Sequence, residues 1–99
     1  MTSQPKPGQP QPWVVEFDDS ARRELRKLDA QTQKSILKYL RERIAIPADP
    51  RHQGKPLRQN LAGLWRYRIG DYRLICRLED HRLVVLVLQL GHRRDVYQS

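Results

Sequence analysis

The sequence predicts an α+β domain in the order β-α-α-β-β-β, with two N-terminal helices packed on one face of a mostly antiparallel four-stranded sheet. Three observations lead there. A β-branched and aromatic run, WVVEF, precedes two segments whose apolar residues fall at helical spacing. The second half then alternates with period two, punctuated by turn residues at Gly70-Asp71 and Asp80-His81. Finally, 99 residues with 38% hydrophobic and 30% charged content suit one modest core and exclude two folded domains.

Residues 1–12 hold Pro5, Pro7, Pro10 and Pro12 among Gln4, Gln9 and Gln11. Such a stretch cannot bury enough apolar surface to offset the entropy of ordering, so it is expected to be a flexible tail before a single domain spanning 13–99. The first strand is expected at Trp13 to Phe17. Asp19 or Ser20 then caps a helix with Ala21, Leu25 and Leu28 on one face. A second helix after Asp29 aligns Ile36, Leu37, Leu40 and Ile44 until Pro47 and Pro50 end it. The polar stretch from Ala48 to Asn60 reads as a loop. Strands are expected at Leu64 to Ile69, Tyr72 to Leu78 and Leu83 to Leu90, joined as a meander.

Several classes fall away. The longest apolar run, Leu83 to Leu88, is strand-length and the mean hydropathy is −0.78, which excludes a membrane span. The N-terminus has no apolar stretch of the kind a secretory signal needs, so the cytoplasm is expected. Cys76 alone cannot form an internal disulfide, and His52, His81 and His92 are too dispersed for zinc. Neither a metal nor a cofactor is expected.

Charge is the more informative quantity. Nineteen Lys and Arg against eleven Asp and Glu give +8, and residues 51–99 account for +6 of it, with ten basic and four acidic residues. Nine of those ten are arginine, whose planar fork suits phosphate. Closing a hairpin at Gly70-Asp71 sets Ile69 opposite Tyr72, Arg68 opposite Arg73, Tyr67 opposite Leu74 and Arg66 opposite Ile75. Alternation then points Trp65, Tyr67, Ile69, Leu74, Cys76 and Leu78 to the helices and gathers Arg66, Arg68, Arg73 and Arg77 on the other face. Such a face either binds an anion or is an ordinary solvated surface with snorkelling side chains. The same alternation assigns Val84, Leu86, Leu88 and Leu90 to the arginine face and Leu83, Val85 and Val87 to the helices. The apolar outer face needs cover, and the segment from Gly91 to Tyr97 is the expected one, bringing His92, Arg93, Arg94 and Tyr97 toward the arginines.

Residues 54–97 contain the loop GKPLRQNLAGLWR, the hairpin GDYRLI and the ending GHRRDVY. These resemble the RelE/ParE superfamily of toxins from type II toxin–antitoxin systems, nearer the RelE branch, and the likeness covers roughly Trp13 to Tyr97. The resemblance implies a microbial-RNase-like sheet and a ribosome-dependent endoribonuclease. Such enzymes cleave mRNA in the 30S A site by attack of the 2′-hydroxyl on the adjacent phosphate. It implies Arg73 on the scissile phosphate, Arg93 stabilising the transition state and Tyr97 stacking on or orienting the substrate. Arg66 and Arg68 stand where the branch often has lysine; they bind and stabilise, Arg68 within the catalytic group, but are poor proton acceptors. Some relatives use a histidine or carboxylate for acid–base work, and His92, the imidazole expected near the patch, is placed in the catalytic group, its alternative being a solvent-exposed turn histidine. Lys55, Arg58, Arg77 and Arg94 are expected to hold RNA backbone. The implied partners are an acidic cognate antitoxin and, only through that complex, operator DNA. Two other functions stay open: a ParE-type poison of DNA gyrase that cuts no RNA, and a catalytically weak co-repressor that binds its antitoxin.

Overall fold

The computed structural model describes residues 11–94. Most of the expected tail and Tyr97 lie outside the described residues. The chain runs β1 (Val14–Phe17), α1 (Asp19–Lys27), α2 (Ala30–Tyr39), β2 (Lys55–Pro56), β3 (Leu64–Ile69), β4 (Tyr72–Glu79) and β5 (Val84–His92). The sheet has five strands in the order β1-β5-β4-β3-β2, antiparallel except for β1 against β5. The expected count of four is therefore corrected to five. Lys55–Pro56, inside the stretch read as a loop, pairs with Arg66 and Trp65 at the sheet edge.

Local chemistry explains the elements. The Asp18 carboxylate accepts from the Ala21 backbone N–H at 2.8 Å, so Asp18 caps α1, one residue before the expected Asp19 or Ser20. The reason is that β1 ends at Phe17, which leaves Asp18 as the extended residue at the helix entry. Asp29 caps α2 by accepting from the Thr32 N–H at 3.4 Å, and the Thr32 hydroxyl bonds to the same carboxylate and lowers its pKa. α2 passes at Leu40–Ile44 into a wide π-helical turn, closed by the Ala45 N–H on the Leu40 carbonyl at 2.7 Å, which ends ahead of Pro47. The β3–β4 hairpin has the expected register, Arg68 opposite Arg73, around Gly70 at φ +60°. That backbone favours glycine and suits the first position of a tight hairpin turn.

The core lies between the two helices and one sheet face. Ala21, Ile36, Leu40, Ile44, Tyr67, Leu74, Cys76, Val85 and Val87 are buried there, with Trp13 closing one end. Burial pushes the Cys76 thiol well above the usual range, so it is a neutral packing group. The Tyr67 hydroxyl, within the core, donates to the Pro50 carbonyl at 2.8 Å.

Two expectations about β5 are corrected. A bulge places Cys76 opposite Val87 but Ile75 opposite Gln89, so Leu88 is an extra residue. Side-chain parity flips beyond it. Leu90 faces Leu74 in the core instead of the arginine face, and Gln89 comes opposite Ile75. Nor does the chain fold back at Gly91: Gly91 and His92 continue β5 opposite Arg73 and Tyr72. The outer face near Val84 has a different cover. Arg82 bonds Glu79 of β4 and reaches Glu16 of β1 at 3.6 Å, so its guanidinium spans β5 between them. Val84, opposite Glu79, is buried.

Candidate functional site

Cross-strand pairing arranges the arginine face in rows, because directly opposite residues share a face about 5 Å apart. One row is Lys55, Arg66, Ile75 and Gln89; the next is Arg68, Arg73 and Gly91. A third holds Leu64, Arg77, Leu86 and Glu16. Ile75 is buried between the first-row side chains, forming an apolar floor under charged groups.

Charge is divided unequally along these rows. In the third, Arg77 lies 3.7 Å from Glu79, which also holds Arg82, so that end of the face is neutralised internally. In the second, Arg68 and Arg73 face each other directly, and neither has a carboxylate within 4 Å among the described residues. The Nε of Arg73 is buried without a hydrogen-bond acceptor among those residues. A buried cationic donor without an acceptor is costly. Gly91, opposite Arg73, contributes no side chain to that row. The arrangement provides charge and donors for an oxyanion that enters from solvent.

The structure brings together only some of the expected residues. Arg66, Arg68, Arg73 and Lys55 share the face. Arg93 lies two residues beyond Gly91, and its N–H donates to the Asp71 carbonyl at 2.8 Å, keeping it at the Arg68–Arg73 end. Arg58, extended between β2 and β3, and Arg94, in the turn after β5, are exposed. Arg77 stands apart with Glu79. His92 is on the other side of the sheet: it meets Tyr72 edge-to-face at 5.7 Å and lines a cleft of about 460 Å³ with Ser20 and Glu24 of α1. Its Nδ1 accepts from the Arg94 N–H at 3.3 Å. The expectation that His92 joins the arginines is thus corrected, since Gly91, not His92, has the parity of Arg73.

The turn before Lys55 has an anchor that the sequence reading did not include. Arg51 makes a two-pronged pair with Asp80 at 2.8 and 3.0 Å, reaches Asp49 at 3.3 Å and lies 5.7 Å over the Trp65 ring. The hydrogen bond from Arg51 lowers the Asp80 pKa, and the same bond raises that of Arg51. These contacts tie the turn at Pro50–Gln53 to the β4–β5 connection. No sequence pattern announces a pair 29 residues apart.

Fold and sequence together place the chain in the RelE/ParE class of toxins. Residues 15–97 match the family described as ParE toxin of type II toxin–antitoxin systems, parDE, and the chain belongs to that family. It is 36% identical over 87 residues to Toxin RelG of Mycobacterium tuberculosis, covering 88% of this chain and 98% of that protein. Identity to Toxin RelE of the same organism is 28%, covering 88% of each. Among solved structures, the toxin–antitoxin complex RelBE2 from M. tuberculosis gives a TM-score of 0.77 at 34% identity, covering 88% of this chain and 98% of that one. The isolated E. coli RelE toxin gives 0.64 at 25% identity, covering 88% and 87%.

Proposed function

We propose that this toxin is an endoribonuclease that cuts mRNA in the ribosomal A site. The observation that supports this most is the Arg68–Arg73 pair beside Gly91, with the Arg73 Nε buried and lacking an acceptor among the described residues. A surface that only docks on a protein has no need of two directly opposed guanidinium groups with no carboxylate within 4 Å among the described residues. In this reading Arg73 and Arg68 bind the scissile phosphate, and Arg93 stabilises charge as the 2′-oxygen attacks. Arg66, Arg58 and Arg94 hold flanking backbone, and Tyr97 stacks a base. Arg77 is the outermost of the binding arginines and competes with its own Glu79. The test uses purified protein and ribosomes programmed with a defined message. Cleavage leaving a 2′,3′-cyclic phosphate is expected, and an intact message would overturn the reading.

A second reading is favoured by the family description itself, which names ParE. In that case the basic face meets DNA gyrase and no RNA is cut. The two differ in product, not in fold.

The expected restraint is a cognate acidic antitoxin. Val14 and Leu37, 52% and 41% exposed, are the large hydrophobics left exposed among the described residues. Both line one groove of about 300 Å³ with Trp13, Val15, Phe17 and Leu40, along the open edge of β1. An amphipathic segment seated there would cover them, its acids facing Arg41, which also lines the groove. Leu37→Asp should weaken antitoxin binding at least about tenfold in a titration, the scale of losing one buried apolar anchor. Cleavage on ribosomes should not change. Equal affinity would place the antitoxin elsewhere.

A further inference from the structure

β1 pairs with β5 from Val84 to Val87, so beyond Val87 that side of β5 has no strand partner among the described residues. The cleft of about 460 Å³ lies along this edge. Gln89, Leu90, Gly91 and His92 all line it, although successive strand residues point to opposite faces. Four consecutive residues border one cavity where it follows the edge of the strand and reaches both sides. The bulge at Leu88 arranges this, because it gives Gln89 and Gly91 the parity of the arginine face and leaves Leu90 and His92 toward the helices. Gly91 therefore belongs both to the row of Arg68 and Arg73 and to the lining of the cleft.

The opposite wall comes from α1. Ser20, Glu24 and Leu28 follow one another at every fourth residue, the spacing of a single helix stripe. Leu28 and Leu90 give the cleft apolar surface, and Tyr72 meets His92 edge-to-face to form an aromatic corner. Its polar groups are a hydroxyl, an amide, an imidazole and the Glu24 carboxylate. This set is wrong for a phosphate, which Glu24 would repel, and right for a nucleobase, whose faces pack on rings and whose edge takes hydrogen bonds. Lys27 donates to Glu24 Oε1 at 3.2 Å, and Oε2 has no partner among the described residues. A carboxylate only accepts, and each of its oxygens has room for two donors. Among the four RNA bases, guanine sets a ring N–H directly beside an amino group on its Watson–Crick edge, the pair of donors that such a carboxylate matches.

We propose that this cleft is a nucleobase subsite, in which Glu24 reads the Watson–Crick edge of a guanine flanking the cleaved bond; the assignment rests on the ribonuclease reading above. The two faces of the sheet then divide the nucleotide between them. Its phosphate lies on Arg68 and Arg73, the strand turns over the edge of β5 at Gly91, and its base enters between the Ser20–Glu24 stripe of α1 and the Tyr72–His92 corner. Charge on one face supplies affinity, and the carboxylate on the other supplies base preference.

Single-turnover cleavage by the full chain tests it, on ribosomes programmed with messages that differ in the two bases flanking the cleaved bond. The wild-type chain should cut about tenfold faster with guanine than with adenine at one of these positions, the low end for a two-pronged contact to a base. Inosine there, which lacks the amino group, should give an intermediate rate. Glu24→Gln sets an N–H against the donors of guanine and should abolish the preference, with thermal melting and ribosome binding unchanged. Glu42→Gln removes an exposed carboxylate on the π-helical turn, outside the cleft, and should keep the wild-type preference. A guanine preference that survives in Glu24→Gln would overturn the subsite. So would antitoxin binding weakened by Glu24→Gln with the preference intact, which makes the cleft a protein-docking surface. If the wild-type chain leaves every message whole, the ribonuclease reading fails and the subsite with it; wild-type cleavage indifferent to both flanking bases fails the subsite alone.

Discussion

Arg73→Ala should slow mRNA cleavage on ribosomes by about 10²–10³, the usual cost of removing one preorganised electrostatic stabiliser. Arg73 is singled out by three features: it faces Arg68, it lies opposite a glycine, and its Nε is buried without an acceptor among the described residues. Its removal takes away charge, two-pronged geometry and a desolvated donor together. Arg73→Lys keeps the charge alone and should recover only a small part of the rate, because a point charge does not reproduce the fork. Folding should not suffer, since Arg73 and Arg68 repel each other across the strands and relieving a like-charge pair is mildly stabilising. A variant that cleaves at the wild-type rate with an unchanged melt would move the active site off this face.

Tyr67→Ala should destabilise the fold by about 3–5 kcal/mol, the range for truncating a large buried aromatic side chain. Tyr67 is fully buried at the centre of the core, and its hydroxyl also anchors Pro50. Tyr67→Phe keeps the packing but leaves the Pro50 carbonyl without its donor, so a loss of about 1–3 kcal/mol is expected in chemical denaturation. A pH series separates the two roles. Burial raises the pKa of Tyr67 and of Cys76 in the folded state, whereas the unfolded chain ionises them from near 10.0 and 9.0. Their contribution is therefore present in full below pH 9 and falls away as pH rises above it. Tyr67→Phe should flatten the part of that decline that begins near pH 10, and an unchanged decline would show that the phenol does not titrate with unfolding.

Much of this was legible in the sequence where local chemistry decides. Gly70-Asp71 fixes a two-residue loop, and from it the register of β3 and β4 and the whole facing of Arg66, Arg68 and Arg73 follow. What escaped lacks periodicity. β2 is two residues long, too short to alternate, and it forms only because Gly54 lets it approach β3. The bulge at Leu88 is hidden because the apolar run from Leu83 to Leu88 shows no break where the parity changes. One sign was available: strict alternation from Val85 and Val87 points Gln89 into the core, an unfavourable place for an amide, and an extra residue removes the conflict. The same extra residue puts Gly91 rather than His92 beside Arg73, so the face assigned to the imidazole failed with the parity. Arg51 with Asp80 and Arg82 with Glu16 are contacts distant in sequence, made after the strands assemble, and no spacing encodes them.

The central claim is that the arginine face acts on a phosphodiester of RNA. It is tested most directly by inducing the toxin in growing cells and mapping message ends by primer extension, while gyrase-dependent DNA breaks are measured in the same culture. New 5′ ends within translated reading frames are expected, lost when Arg73 is replaced by Ala, with no rise in DNA breaks. Gyrase-dependent breaks with intact messages would contradict it.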